Sequence, residues 1–206
     1  MMSIFDERAS QWESKGRRVE LARDVVNSII KYAEPEKDID IADFGTGTGL
    51  ILLGLADYAK TMTGYDTSRG MIDVLNRKAE EAGLTNLTTE FLDIEKDTFP
   101  ENAFDLLTCS MVLHHVDRPE DFFSKAYRSL RTGGKLCVAD LELTDVPFHD
   151  VAHEGVKNEG FSENWLIETM KKYGFSSVKV VQGAVMEKER NGEKINFPVL
   201  LAIGTK

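Results

Sequence analysis

Basic charge, cysteine, proline and long apolar runs are all scarce in this chain of 206 residues. Lys and Arg number 25 against 35 Asp and Glu, a formal net charge of −10. Such a surface repels a phosphate backbone at long range, which argues against DNA or RNA as a partner. The acidity itself reads as solubility. The two cysteines, Cys109 and Cys137, stand inside apolar runs without metal-ligand spacing. That excludes a disulfide scaffold and reads as reduced core residues of a cytoplasmic protein. No stretch approaches the roughly 20 apolar residues that cross a bilayer, and the N-terminus carries no apolar signal core. Membrane insertion is therefore not expected. With five prolines, no repeat and no low-complexity linker, residues 1–206 are expected to form a single domain.

What the chain does have is alternation. Apolar spacing predicts an amphipathic helix over 19–33, with Val19, Ala22, Val26, Ile29 and Ile30 on one face. Strand-like runs at 39–44, 61–65, 87–92, 104–109 and 135–141 alternate with helical ones at 50–58, 69–82 and 119–130. Ser68 reads as an N-cap and Gly83 as a helix stop, while Pro119 suits a first helical turn. Strand–helix alternation of this kind implies βαβ units and a parallel sheet. After a helix capped by Ser162, runs at 177–187 and 194–204 flank Asn191-Gly192, a tight hairpin turn. The expected fold is α/β: a doubly wound, mostly parallel seven-stranded sheet ending in an antiparallel hairpin. Within it, 1–34 form an N-terminal lid and helix, 35–142 a ligand-binding core, and 143–206 a substrate-side segment with the hairpin.

Residues 41–49, Ile-Ala-Asp-Phe-Gly-Thr-Gly-Thr-Gly, carry the most information. An apolar run ends in an acid, and alternate glycines follow. The dinucleotide fingerprint G-x-G-x-x-G would place its third glycine at Leu50; here it falls at Gly49. G-x-G-x-G preceded by Asp43-Phe44 resembles the first motif of the class I (Rossmann-like) S-adenosylmethionine-dependent methyltransferases. The resemblance covers nearly the whole chain, with its centre between residues 39 and 142. It implies S-adenosylmethionine as cofactor, S-adenosylhomocysteine as product, and a small-molecule acceptor bearing an O, N, S or C nucleophile.

Ligands of open parallel sheets sit beyond the strands' carboxyl ends, so the residues at each end are the candidates. At the first, Gly45, Thr46 and Gly47 form the loop, and Asp43 either meets the ammonium of a methionine moiety or bonds loop amides. At the second, Asp66 is placed to accept both ribose hydroxyls; the other reading is a helix-cap acid. By resemblance Thr67 and Met71 lie beside adenine, although Met71 suits core packing equally. At the third, Asp93 resembles the acid that accepts the adenine amine, and Ile94 would offer its N–H to the ring. At the fourth, the run from Cys109 to Val116 resembles the segment passing the transferable methyl in small-molecule methyltransferases, including those of ubiquinone and menaquinone biosynthesis. Ser110 is the expected methionine contact there.

His114 and His115 follow it, and each is either a general base or a loop-holding side chain. His115 ranks first as base, lying further past the strand end. His153, after the fifth strand, is a third candidate. His149 and His153 have a spacing seen in zinc sites, but no third ligand follows, so no metal is assigned. Phe5 and Trp12 resemble anchors of a lid. Two rivals remain: a non-catalytic module that binds the same cofactor, and a nucleotide-dependent oxidoreductase.

Overall fold

The computed structural model describes residues 4–149, 155–190 and 192–206. Seven strands form one sheet in the order β3-β2-β1-β4-β5-β7-β6. These are β1 (Ile39–Phe44), β2 (Ala59–Asp66), β3 (Leu87–Phe91), β4 (Phe104–Ser110), β5 (Leu130–Leu141), β6 (Ser176–Arg190) and β7 (Glu193–Thr205). Strands β1 to β5 pair in parallel, while β7 runs antiparallel to β5 and β6 antiparallel to β7. The doubly wound sheet with its terminal hairpin is thus present.

The central strands are apolar on both faces because helices cover both. On one face, Ile41 and Leu106 pack with Val25, Val26 and Ile29 of α2 (Gly16–Ala33), Leu52 of α3 (Leu50–Gly54) and Leu75 of α4 (Arg69–Glu81). On the other, their chain neighbours Ala42 and Leu107 pack with Phe122 and Phe123 of α5 (Pro119–Ser129) and Met170 of α6 (Glu163–Lys172). Ser68 and Ser162 do cap α4 and α6, accepting the N–H of Met71 and of Trp165, each at 3.2 Å.

Several boundaries differ from expectation. Helix α2 begins at Gly16, and its buried stripe includes Leu21 and Val25, while Val19 is exposed. The apolar run 50–58 breaks after Gly54 into a 3₁₀ turn, Ala56–Tyr58. Gly54 lies against α2, where an added Cβ would come within 2.8 Å of Val26 Cγ2. Strand β5 starts at Leu130, so Gly133 and Gly134 lie inside it. The hairpin is longer than expected: pairing continues from Val185 with Pro198 to Arg190 with Glu193, past the last β5 contact at Leu141. This ribbon overhangs the sheet's carboxyl edge. Asn191 of its turn lies outside the described residues, and Gly192 has φ +83°.

Candidate functional site

The glycine loop turns directly off β1. Gly45 (φ +66°) and Gly47 (φ +54°) both occupy the left-handed region, where a side chain is strained. Their surroundings differ. A Cβ on Gly45 would strike Val112 Cγ2 at 2.3 Å, whereas a Cβ on Gly47 would meet nothing within 4 Å. Gly45 is thus demanded by packing, and Gly47 leaves bare backbone facing open space. Thr46 Oγ1, between them, is buried and has no hydrogen-bond partner among the described residues.

Asp66 stands across from this opening at the end of β2. One carboxylate oxygen accepts the Gly47 N–H at 2.7 Å and the other the Ser68 N–H at 2.8 Å. Burial raises its carboxyl from the usual range, and these amide bonds oppose the rise. Each oxygen keeps acceptor capacity for a further donor. Asp43 is 2% exposed and accepts the Thr108 hydroxyl at 2.7 Å. Burial pushes its carboxyl up to about 7, the Thr108 bond opposing, while nearby Thr46 favours the anion without reaching hydrogen-bond geometry. Among the described residues, no basic side chain neutralises it there.

Thr67 is exposed and Met71 is 2% exposed, packed inside the first turn of α4. Asp93 closes a tight turn after β3. It bonds Lys96 Nζ at 2.6 Å and the Glu95 N–H at 3.0 Å, and Lys96 holds its carboxyl below the usual range. Ile94 is buried, and its carbonyl accepts Lys125 Nζ. Ser110 is half-buried at the end of β4, in register with Ala139.

The 3₁₀ turn Leu113–His115 separates the two vicinal histidines. His114 is 2% exposed, and its Nδ1 lies 2.6 Å from Asp140 Oδ1; its backbone N–H donates to Asp140 Oδ2 at 3.3 Å. Burial alone would raise the Asp140 carboxyl, but His114 outweighs it and holds it low. His115 is half-exposed to the site, with Nδ1 2.7 Å from the Gly155 carbonyl. A carbonyl only accepts, so Nδ1 carries the hydrogen and Nε2 the lone pair. Burial, then the neighbouring His114, push its imidazole down to about 4. His115 is therefore neutral at physiological pH. His149 joins the group with its ring 5.7 Å from that of His114. His153 lies outside the described residues.

Comparison with known proteins identifies this arrangement. A family model described as a methyltransferase domain matches residues 42–138, which run from the end of β1 into β5. An uncharacterised methyltransferase of Schizosaccharomyces pombe is 31% identical over 157 residues, covering 69% of this chain and 55% of that protein. The ubiquinone biosynthesis O-methyltransferase of Coxiella burnetii is 30% identical over 139 residues, 66% of this chain and 58% of that protein. Residues 42–138 thus match the methyltransferase-domain family, and the chain is similar to class I S-adenosylmethionine-dependent methyltransferases. It spans little more than half the length of these curated relatives. Among solved structures, a Haloferax volcanii methyltransferase in complex with the Trm112 activator superposes with a TM-score of 0.80, at 16% identity over 100% of this chain and 98% of that one. The oxidoreductase alternative falls with this assignment.

S-adenosylmethionine, the cofactor of this family, fits the residues present. Gly47 offers an open backbone approach, Thr46 a buried hydroxyl without a partner among the described residues, and Asp43 and Asp66 a buried and a partly buried acid toward a ligand carrying hydroxyls and a cation. The N-terminal segment packs across the glycine loop and the first turns of α4. It forms α1 (Ile4–Arg8) and a 3₁₀ stretch, Ala9–Ser14. Asp6 accepts Ser68 Oγ at 2.7 Å and the Gly70 N–H at 3.0 Å, supplementing the cap of α4. Gly70 permits this approach, since a Cβ there would lie 3.0 Å from the Asp6 carbonyl. Glu13 accepts Thr48 Oγ1 at 2.6 Å and Lys78 Nζ at 2.7 Å, tying this segment to the glycine loop and α4 together. Phe5 sets its ring edge-on to His115, 5.4 Å between centroids.

Sequence reasoning missed Asp140, Thr108, Glu13 and Lys78. Asp140 is a fourth strand-end acid, and the rule that found Asp43, Asp66 and Asp93 would have reached it.

Proposed function

We propose that the chain transfers a methyl group from S-adenosylmethionine to a small-molecule acceptor. The observation that carries this reading is the open, bare backbone of Gly47 facing the partly buried carboxylate of Asp66. When bound, the cofactor supplies an electrophilic methyl on a sulfonium. Asp66 would accept the ribose hydroxyls with the lone pairs its amide bonds leave unused. Asp43 would face the ammonium of the methionine portion, with Ser110 beside it. Asp93, Ile94, Thr67 and Met71 would border the adenine. His115 would present Nε2 toward the acceptor and take its proton, while the lid excludes water. Alignment of the two reactants supplies much of the rate in such a displacement. Two buried, unpaired cysteines suit a reducing compartment, and the cytoplasm is the proposed location.

Calorimetric titration with S-adenosylmethionine and S-adenosylhomocysteine tests the cofactor site. Asp66→Ala should weaken both by roughly tenfold to a hundredfold, since bonds to a charged acceptor are worth about 1.5–3 kcal/mol. A folded variant that binds like the parent removes the ribose assignment. Transfer is then followed with methyl-labelled cofactor and a small-molecule extract. Tight cofactor binding without any labelled product would leave a binding module instead.

A further inference from the structure

Asp140 and His114 lie outside the contacts proposed above for cofactor and acceptor, yet they make a connected polar arrangement at the carboxyl edge. The Asp140 carboxylate grips His114 twice, at Nδ1 and at the backbone N–H. It also accepts the Leu141 N–H at 2.8 Å, which anchors it to β5. The His114 carbonyl, so fixed, accepts two backbone N–H groups from a distant strap, those of Lys157 at 2.9 Å and Asn158 at 3.0 Å. Asn158 Nδ2 adds a second tie, to the Val116 carbonyl at 2.9 Å. Two residues before Lys157, the strap presents the Gly155 carbonyl, which takes the His115 Nδ1 hydrogen. Gly155 adopts φ +93°, a conformation open to glycine, so the carbonyl is aimed by the local backbone. The bonds close a ring: Asp140 to His114, His114 to the strap, the strap to His115, and His115 back to His114 through the peptide bond.

A neutral imidazole has two tautomers, and only one leaves Nε2 able to accept a proton. Without a partner, an imidazole would populate both. The ring of bonds holds an acceptor against Nδ1 and so selects the other nitrogen as the base. We propose that Asp140 and His114 are positioning residues that fix the tautomer and direction of His115 through the 155–158 strap. This rests on the reading of His115 as the base that faces the acceptor. Nothing in it requires Asp140 to touch cofactor or acceptor, nor His114 to exchange its own proton.

Four histidines make the prediction readable by long-range ¹H–¹⁵N correlation on histidine-labelled protein. His115→Gln assigns the signal. At pH 7.5 the parent should show His115 as one tautomer, protonated at Nδ1 and bare at Nε2. In Asp140→Ala the two nitrogen shifts should converge as tautomers mix. Asp140→Asn, whose amide oxygen still accepts the His114 Nδ1 hydrogen but whose NH2 cannot accept the His114 backbone N–H, should show less mixing than Asp140→Ala. A folded Asp140→Ala protein that keeps the single tautomer overturns the proposal. If that variant does not fold, Asn158→Ala decides, because it cuts the strap's side-chain tie at a half-exposed position: mixing supports the proposal, and an unchanged His115 signal overturns it. S-adenosylhomocysteine titration of the same samples tests the functional reading separately. Absent binding in the parent would sink that reading and leave the tautomer result standing. With an acceptor in hand, Asp140→Ala should lower kcat, within the roughly 10²–10⁴-fold that a general base supplies, and leave KM for S-adenosylmethionine unchanged.

Discussion

Asp43 concentrates an unfavourable charge at the point where a cation is proposed to bind. Its carboxyl is buried, is bonded by one hydroxyl, and is held up at about 7. In the unfolded chain it would titrate near 3.9. The folded value is the higher one, so its contribution to stability is full below the unfolded pKa and is lost as pH rises through about 7. The loss amounts to roughly 4 kcal/mol at most. Asp43→Asn keeps an acceptor for Thr108 and removes the titration. Urea unfolding at pH 5 and pH 8 should show the parent weakening relative to this variant at the higher pH. Equal pH dependence in the two proteins would count against a buried, uncompensated acid. A cationic ligand reverses the preference, so cofactor binding near pH 7 should release a proton from the parent and none from the variant. At this scale much was legible in the sequence. Acids at strand ends follow from strand periodicity, and Asp43, Asp66 and Asp93 were found that way. Asp140 was passed over although it stands one residue before its strand end, as Asp43 does. Its partner His114 lies 26 residues away, a distance no local pattern reports.

Elements were legible where they follow period and caps, and less so where tertiary contact sets their limits. Ser68 and Ser162 announced α4 and α6. The break of α3 at Gly54 did not show, because its cause is Val26 on another helix. The lid is the sharper case. Phe5 and Trp12 suggested a covering segment, but its fastening depends on Glu13 meeting Thr48 and Lys78, 35 and 65 residues on. Burial opposes ionisation of Glu13, and Lys78 and Thr48 outweigh it and hold its carboxyl low. A partly exposed ion pair contributes about 0.2–1 kcal/mol. Glu13→Gln should therefore loosen cofactor binding only a few-fold and quicken proteolysis near the N-terminus. Deleting residues 1–14 should weaken both cofactor and acceptor binding while circular dichroism reports an intact core. If the deletion leaves both affinities unchanged, the segment is not a lid.

For the molecule as a whole, the alternation of strands and helices was enough to give the sheet, its order of elements and its antiparallel end. The overhanging ribbon was out of reach. Lys188 and Arg190 extend from it to the carbonyl of Phe148, at 2.6 and 2.7 Å, across 40 and 42 residues. Phe148 in turn sets its ring against Phe197 of β7. On the proposed function, the ribbon would frame the acceptor side and the N-terminal segment the cofactor side, with His115 between them. On the proposed reading of residues 4–14 as a lid, the molecule is a gated receptor. Asp6 bonds the first turn of α4 and Glu13 the glycine loop, and on that reading both contacts part before the cofactor settles at Gly47 and Asp66. Cofactor capture should then obey two clocks: collision at low concentration, lid opening at high. In stopped-flow traces of tryptophan emission, Trp12 being stacked under Arg18 at 3.7 Å, the observed rate should climb with S-adenosylmethionine and then level off at the opening rate. Removing residues 1–14 should turn that plateau into a straight line.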